Sequence, residues 1–414
     1  MSPHVPNAPD RPSTDPVWTP ILTGLHATAL DCLQTSFALL ADYANGSGSH
    51  LALGARYGFR TRDQDALISV EATSDDRAAE AVDLLGLRVE GRWMQLDGPQ
   101  VRRLCAPGQP LYVTADAYDL PWCPYHGHEH MRHSFLATEA GPDQVTVVDA
   151  YHNDTAWGPA RPGVWRLPIA AFDAALAGGA HTLAVTAHPA PAIDVPAMLA
   201  GNAARARRAR PEIARYLDRT GAALDTVAGL HRFVLDVWLL ARARDLHERW
   251  LAAVAPEAAA ALAGQAARWQ QLATRSYVAL RRAQAGRPAA PELADALGEL
   301  ISDHLDALES IAEPAATPGH DAVPPAPDPA GGEGVRAAVL GALGETLDLD
   351  GSTLRTTDVL RELPGFDSFR LVTSSTGSSG GLDVESRHAL FAADLRDVRL
   401  PCAPCSAPHT EMPR

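Results

Sequence analysis

Apolar residues recur three and four apart after residue 32, at Leu33, Phe37 and Leu40, which is the spacing of one face of a helix. That pattern makes Cys32 the opening residue of a buried helix. Further on, Asp76 to Leu85 and Gly98 to Leu104 read as short helices and Leu87-Arg-Val-Glu as a strand. Leu111 to Asp116, His133 to Thr138 and Gln144 to Asp149 then predict three strands in succession. A helix followed by neighbouring antiparallel strands is an α+β order. From Val195 to Glu313 the period changes: Leu230, Phe233, Val237, Leu240 and Trp250 mark amphipathic helices, and the stretch predicts a bundle of about four.

Between these blocks the periodicity lapses. Residues 1–16 are Pro-rich and polar, a disordered tail. Residues 314–333 are dominated by Pro, Ala and Gly and predict a semi-extended linker. The chain therefore divides into a catalytic-type α+β domain over 17–194, a helical domain over 195–313, the linker, a small domain over 334–400 and a tail over 401–414. Its 414 residues suit two or three cores.

Charge narrows the function. A formal net charge of −15 argues against nucleic acid and against an anionic membrane surface, both of which select concentrated cationic faces. The N-terminus lacks the basic start and apolar run of a secretory signal, and no segment reaches the ~20 apolar residues that cross a bilayer, so a cytoplasmic protein is expected. Five cysteines, an odd number spread along a long chain, do not describe a disulfide framework.

The candidate chemistry follows from that. A cysteine attacks an acyl group as thiolate, and a helix start or a neighbouring imidazole lowers its pKa. Cys32 stands at a helix start, His133 begins a strand, and Asp149 ends the next one, where it can orient the imidazole. The order Cys, His, Asp is that of papain-like enzymes. The rival reading makes Cys32 a packed core thiol.

Residues 24–43 and 111–153 carry a resemblance. The helix bearing Cys32, the stretch Asp116-x-Tyr118-x-Leu120-Pro121, the His-rich turn, His133 before an apolar strand and Val147-Val-Asp149 together resemble the butirosin biosynthesis protein H N-terminal family, a branch of the peptidase C39-like papain fold. The helical half over 195–313 is also similar to that family's. The resemblance implies an acyltransferase of antibiotic biosynthesis, with Cys32 as acyl-accepting thiol, His133 as general base and Asp149 as its orienter. Its donor would be an acyl carrier protein or carrier domain and its acceptor a small amine; a homodimer is left open. The C39-like pattern places a Gln several residues before the cysteine as oxyanion donor. Here His26 stands six residues before Cys32 and Gln34 two after it, which makes His26 the candidate donor.

Tyr125-His126-Gly-His128-Glu-His130-Met-Arg-His133 alternates imidazoles as a metal site on a strand would, but Cys123 and Glu129 are out of phase and no fourth ligand follows, so no metal is assigned. Cys105 and Cys123 read as packed thiols. Cys402 and Cys405 form a single CxxC without a second pair and are assigned nothing. Arg205, Arg207, Arg208 and Arg210 are either a docking face for an acidic carrier or a solvated helix face.

Gly334 to Leu400 resembles an acyl carrier protein. Asp367-Ser368 fits the Asp-Ser-Leu motif that bears 4'-phosphopantetheine, with Phe369 in place of leucine. The next helix would have to form from Thr373-Ser-Ser-Thr-Gly-Ser-Ser-Gly-Gly, which has low helix propensity. The same scaffold could instead hydrolyse or cyclise a carrier-bound intermediate, or only bind carrier proteins.

Overall fold

The computed structural model describes residues 12–64, 67–105, 108–287 and 292–312, and the strand segments 359–361, 369–372 and 381–383. The chain falls into two units, Met1–Pro314 and Ala315–Arg414.

In the first unit, α1 (Trp18–Gly24) and a 3-10 turn (Ala27–Ala29) lead to α2 (Gln34–Asn45), and a second 3-10 segment (Ser49–Gly54) leads to a hairpin of β1 (Arg62–Gln64) and β2 (Leu67–Ser69). Then come α3 (Ser74–Leu85), β3 (Leu87–Leu96), α4 (Gly98–Leu104), β4 (Leu111–Asp116), β5 (Arg132–Ala140) and β6 (Gln144–Asp149). A small hairpin of β7 (Asn153–Thr155) and β8 (Gly158–Ala160) precedes β9 (Gly163–Pro168), α5 (Ile169–Ala175) and β10 (Ala180–Ala187). Helices α3 and α4 start where their caps stand: Thr73 forms a reciprocal cap with Asp76, and Asp97 one with Gln100.

Six strands make one antiparallel sheet in the order β3-β10-β4-β5-β6-β9. Because successive side chains alternate across a sheet, each central strand feeds two cores. Tyr112, Leu136, Val148 and Val164 face α2, where Phe37 stacks on Tyr112 at 4.2 Å between ring centroids. Val113, Phe135, Val147 and Leu167 face α4 and α5 with Val101 and Phe172. Burial on both faces explains the nearly unbroken apolar runs of β4 to β6. Each such fully buried side chain contributes roughly 1.5–3 kcal/mol.

The helical half contains α6 (Val195–Ala223), α7 (Val227–Val254), α8 (Pro256–Ala260), α9 (Gln265–Gln284) and α10 (Glu292–Ala312). Among the described residues that is five helices rather than four, the additional one being the single turn α8 behind Pro256. The two halves share polar ties. Asn202 of α6 donates to the Ala55 carbonyl at 2.9 Å and accepts from the Tyr57 N–H at 2.9 Å, and His247 of α7 donates to the Gly54 carbonyl at 2.6 Å. Gly54 leaves no room for a side chain, since a Cβ there would stand 2.3 Å from the Leu246 carbonyl oxygen.

Three expectations change. The N-terminal tail is shorter than 1–16: Ser13 pairs with Val164 of β9 through its N–H at 2.7 Å, and Asp15 caps α1. Of the arginine run on α6, Arg205 donates to the Tyr57 carbonyl and Arg210 pairs with Asp306 and Glu309, so only Arg207 and Arg208 stay uncommitted among the described contacts. In the second unit, the described residues form strands β11 (Val359–Arg361), β12 (Phe369–Val372) and β13 (Gly381–Asp383) in one antiparallel sheet. The residues after Ser368 are thus extended where the carrier resemblance expects a helix, in keeping with the strand-forming Phe and Val of Phe369-Arg-Leu-Val372. Ser368 itself, Cys402, Cys405 and the linker over 314–333 lie outside the described residues.

Candidate functional site

Cys32 occupies the turn immediately before α2 rather than its first helical position. The exposed N–H groups of the helix start are taken by Asp31, whose Oδ1 accepts from Leu33 N at 2.9 Å and Gln34 N at 2.8 Å. Asp31 is itself paired with Arg77, which also reaches Glu80 at 2.8 Å. The backbone of Cys32 is pinned to β5: its carbonyl accepts from Ser134 Oγ at 2.5 Å and from Thr35 Oγ1 at 3.2 Å, and Ser36 Oγ lies 2.9 Å from Ser134 Oγ.

The sulfur is directed at the same strand. Its Sγ donates to the Arg132 carbonyl oxygen at 3.5 Å, the oxygen of the peptide group that joins Arg132 to His133. His133 is fully buried. Its Nε2 lies 2.7 Å from Asp149 Oδ2, across the β5–β6 pair. The Asp149 carboxylate is saturated with donors, for Oδ2 also accepts from Trp122 Nε1 at 3.0 Å and Oδ1 from Tyr151 N at 2.9 Å. A carboxylate in that setting can only accept from the imidazole, so Nε2 carries a hydrogen, and Nδ1 is the nitrogen that offers a lone pair when the ring acts as a base. That Nδ1 is buried and has no hydrogen-bond partner among the described residues. A Tyr151 ring packs edge-on against the imidazole at 5.1 Å.

The helical half closes this region from behind. Arg242 of α7 donates to the carbonyls of Ala27 at 2.9 Å and Leu30 at 2.7 Å, just before Cys32, and to that of His152 at 2.6 Å, just after Asp149. The guanidinium lies over the Trp238 ring at 4.0 Å. One side chain therefore ties together the loops that carry the nucleophile candidate and the orienting acid.

Electrostatically the thiol departs from expectation. Burial pushes its pKa well above the ordinary value, and the negative charges of Asp31 and Glu71, then Cys123 and Asp149, push the same way. The helix start, already occupied by Asp31, supplies no compensating pull. The resting side chain is a neutral thiol turned to the Arg132 carbonyl. Alkylation of Cys32 by iodoacetamide is accordingly expected to be slow near about pH 7 and to climb through and beyond about pH 9. Peptide-level mass spectrometry of labelling rates checks this, and a rate plateau below neutrality would mean a preformed thiolate.

His26 does not join these residues. Its ring Nδ1 lies 2.9 Å from His50 Nε2, its N–H donates to the same nitrogen at 3.2 Å, and His50 is held in turn by Asp42 at 2.8 Å. Asp42 is on α2 eight residues after Gln34, about 12 Å along the helix from the Cys32 end. Burial first, then Arg249 and His50, lower the His26 pKa to about 4. Gln34 is no substitute, since it is bonded to Asp31 N and Glu80.

The alternating imidazoles of the turn are dispersed. His126 Nδ1 meets the Tyr118 carbonyl at 2.9 Å, His130 meets Asp116 at 2.7 Å and stacks on Tyr118, and His128 stacks on Trp157 of the β7–β8 hairpin. Among the described residues no group of three or more His, Cys, Asp or Glu could hold a metal ion. Cys123 is buried, its thiol pushed up to about 12 by burial and then Asp149, and burial raises Cys105 to about 11. No described helix is long and apolar enough to cross a membrane.

Three residues at the site carried no functional assignment from sequence. Trp122 adjoins the Leu120-Pro121 motif, and an indole N–H beside an expected buried acid was its signal. Tyr151 lies two residues beyond Asp149. Arg242 sits among the buried residues of α7, where a charge marks a buried polar task. No family model matches the chain, and no curated protein matches it, so the site stands on its own geometry.

Proposed function

We propose that the chain is a papain-like, C39-like cysteine acyltransferase that moves an acyl group from a carrier-protein thioester to an amine. The observation that carries this reading is the His133 imidazole, fixed by Asp149 through Nε2 with a buried, unpartnered Nδ1, on the strand against which the Cys32 sulfur rests. In the first half-reaction His133 Nδ1 takes the thiol proton as Sγ bonds to the acyl carbon. The carbon–sulfur bond to 4'-phosphopantetheine breaks, and the departing thiolate takes the proton from the imidazolium. In the second, an amine attacks the Cys32 thioester, His133 accepts the amine proton and returns it to Sγ, and an amide leaves. The donor is an acyl carrier protein or carrier domain, and Ser368 on the same chain is the candidate internal attachment point.

Intact-protein mass spectrometry with acyl-pantetheine thioesters tests this. The expected result is one acyl increment on the native chain, none on Cys32→Ala, and discharge to an amide when an amine is added. Discharge to the free acid would make the protein a hydrolase.

The raised thiol pKa and the carboxylates of Asp31 and Glu71 around it favour a second reading, a non-catalytic scaffold that binds carrier protein with an inert Cys32. Absence of any adduct across a thioester series would select it.

A further inference from the structure

Away from Cys32, where the helical half meets residues Gly54 to Tyr57, lies a second buried polar group. Among the described residues, half-buried Arg77 is matched by Asp31 and Glu80, and buried Arg242 by three carbonyls. Arg244 of α7 is 6% exposed and makes no hydrogen bond or ion pair among the described residues. Two aromatic rings stand against it instead. The guanidinium carbon lies over the Tyr57 ring at 4.9 Å and the Trp269 ring at 5.5 Å. What remains unmatched is the edge of the guanidinium plane, which is the side that presents N–H donors in a fork.

The neighbours of that edge are unmatched too. Tyr57 Oη, Trp269 Nε1, His247 Nε2 and His304 Nε2 are all buried without a hydrogen-bond partner, as is Arg244 Nε itself. The rings form one cluster, with Tyr57 and His304 centroids 5.8 Å apart and those of His247 and His304 6.0 Å apart. Both histidines have defined tautomers. His247 Nδ1 donates to the Gly54 carbonyl and His304 Nδ1 to the Gln265 carboxamide oxygen at 2.9 Å, which leaves each Nε2 as a lone pair turned inward. Native interiors leave few polar atoms unmatched, and five on adjoining side chains around a cation without a counter-ion describe a receptor rather than a packing defect.

We infer that Arg244, Tyr57, Trp269, His247 and His304 form a binding site for a small oxyanion of the carboxylate or phosphate class. The guanidinium edge supplies the positive fork, the phenol and indole supply two further donors, and with a hydrogen phosphate the imidazole lone pairs accept from its P–OH group. Burial, and for His304 the Arg244 charge next, hold both imidazoles neutral, which suits that acceptor role. The site spans α7, α9, α10 and the segment at Tyr57, and it does not depend on the chemistry proposed for Cys32.

Thermal melts of the full chain in sodium acetate, sodium phosphate and sodium chloride at matched ionic strength test the assignment. The expected result is a saturable rise in melting temperature with acetate or phosphate and none with chloride, the stronger of the two identifying the ligand class. Tyr57→Phe, which removes only the hydroxyl, is expected to weaken that probe about five- to tenfold, and Arg244→Gln to abolish the response. The indole N–H resonance of Trp269, assigned with Trp269→Phe, is expected to shift with the same probe in the native chain. If Arg244→Gln does not fold, Tyr57→Phe and this resonance decide. No saturable response with an unmoved Trp269 resonance overturns the site, as does an equal response to chloride or an undiminished one in Arg244→Gln.

Discussion

Replacing His133 with alanine is expected to lower carrier-dependent acyl transfer on the order of 10²–10⁴-fold while leaving the chain folded. The loss should be largest in Cys32 acylation, because a thiol with a raised pKa depends on the imidazole to remove its proton as it attacks. Asp149→Asn is a sharper version of the same test. The carboxylate oxygen facing His133 also accepts from Trp122 Nε1, so an amide nitrogen placed there would set N–H against N–H. It would also turn the imidazole to the tautomer with hydrogen on Nδ1, which removes the base without removing the ring. Single-turnover rates of Cys32 acylation check both variants. His133→Ala combined with Asp149→Asn should cost little more than the worse single change, since the residues act as a unit. Transfer within about threefold of the native rate in His133→Ala would end the assignment of a base.

The second large effect is expected from Arg242→Ala. Three carbonyls, of Ala27, Leu30 and His152, would be left unmatched in the interior, at about 1–3 kcal/mol each. Non-additivity and local relaxation bring the sum to about 3–5 kcal/mol, a large part of the stability of an ordinary domain. Denaturant unfolding measures this. Arg242→Lys should recover less than half, since an ammonium is a point donor and the three oxygens flank a planar fork from separate loops. A loss below about 1 kcal/mol in Arg242→Ala would show that the loops before Cys32 and after Asp149 hold their places without it.

How much of this was legible in sequence depends on how far apart the cooperating residues lie. Alternation placed β4, β5 and β6, and with them the His133 and Asp149 positions, because cross-strand neighbours follow from two adjacent periodic runs. The helical spacing at Leu33, Phe37 and Leu40 located α2, but not that Asp31 would cap it and leave Cys32 one turn outside, with its thiol raised rather than lowered. Asp31 is a favoured N-cap residue, so that signal was present beside the cysteine. His26 was misplaced because nothing local marks its partner: His50 lies 24 residues on and is held by an acid on the far end of α2. Arg242 acts across 215 residues on Ala27 and Arg244 across 187 on Tyr57, and no periodicity in one sequence carries contacts of that range. The extended Phe369–Val372 segment follows its β-forming side chains, whereas the motif at Ser368 implied a helix by likeness.

The position of β10 in the sheet bears on biosynthesis. Strands β4, β5, β6 and β9 follow one another as a meander with the small β7–β8 hairpin set aside, but β3 is joined to them only through β10, which pairs with β3 on one side and β4 on the other. A nascent chain leaving the ribosome can lay down the meander as it emerges, yet the slot between β3 and β4 stays open until residue 187 has cleared the exit tunnel. Until then the edges of β3 and β4 present unpaired backbone N–H and C=O groups to each other. Translation pausing near residue 180 would hold the protein in its most aggregation-prone form.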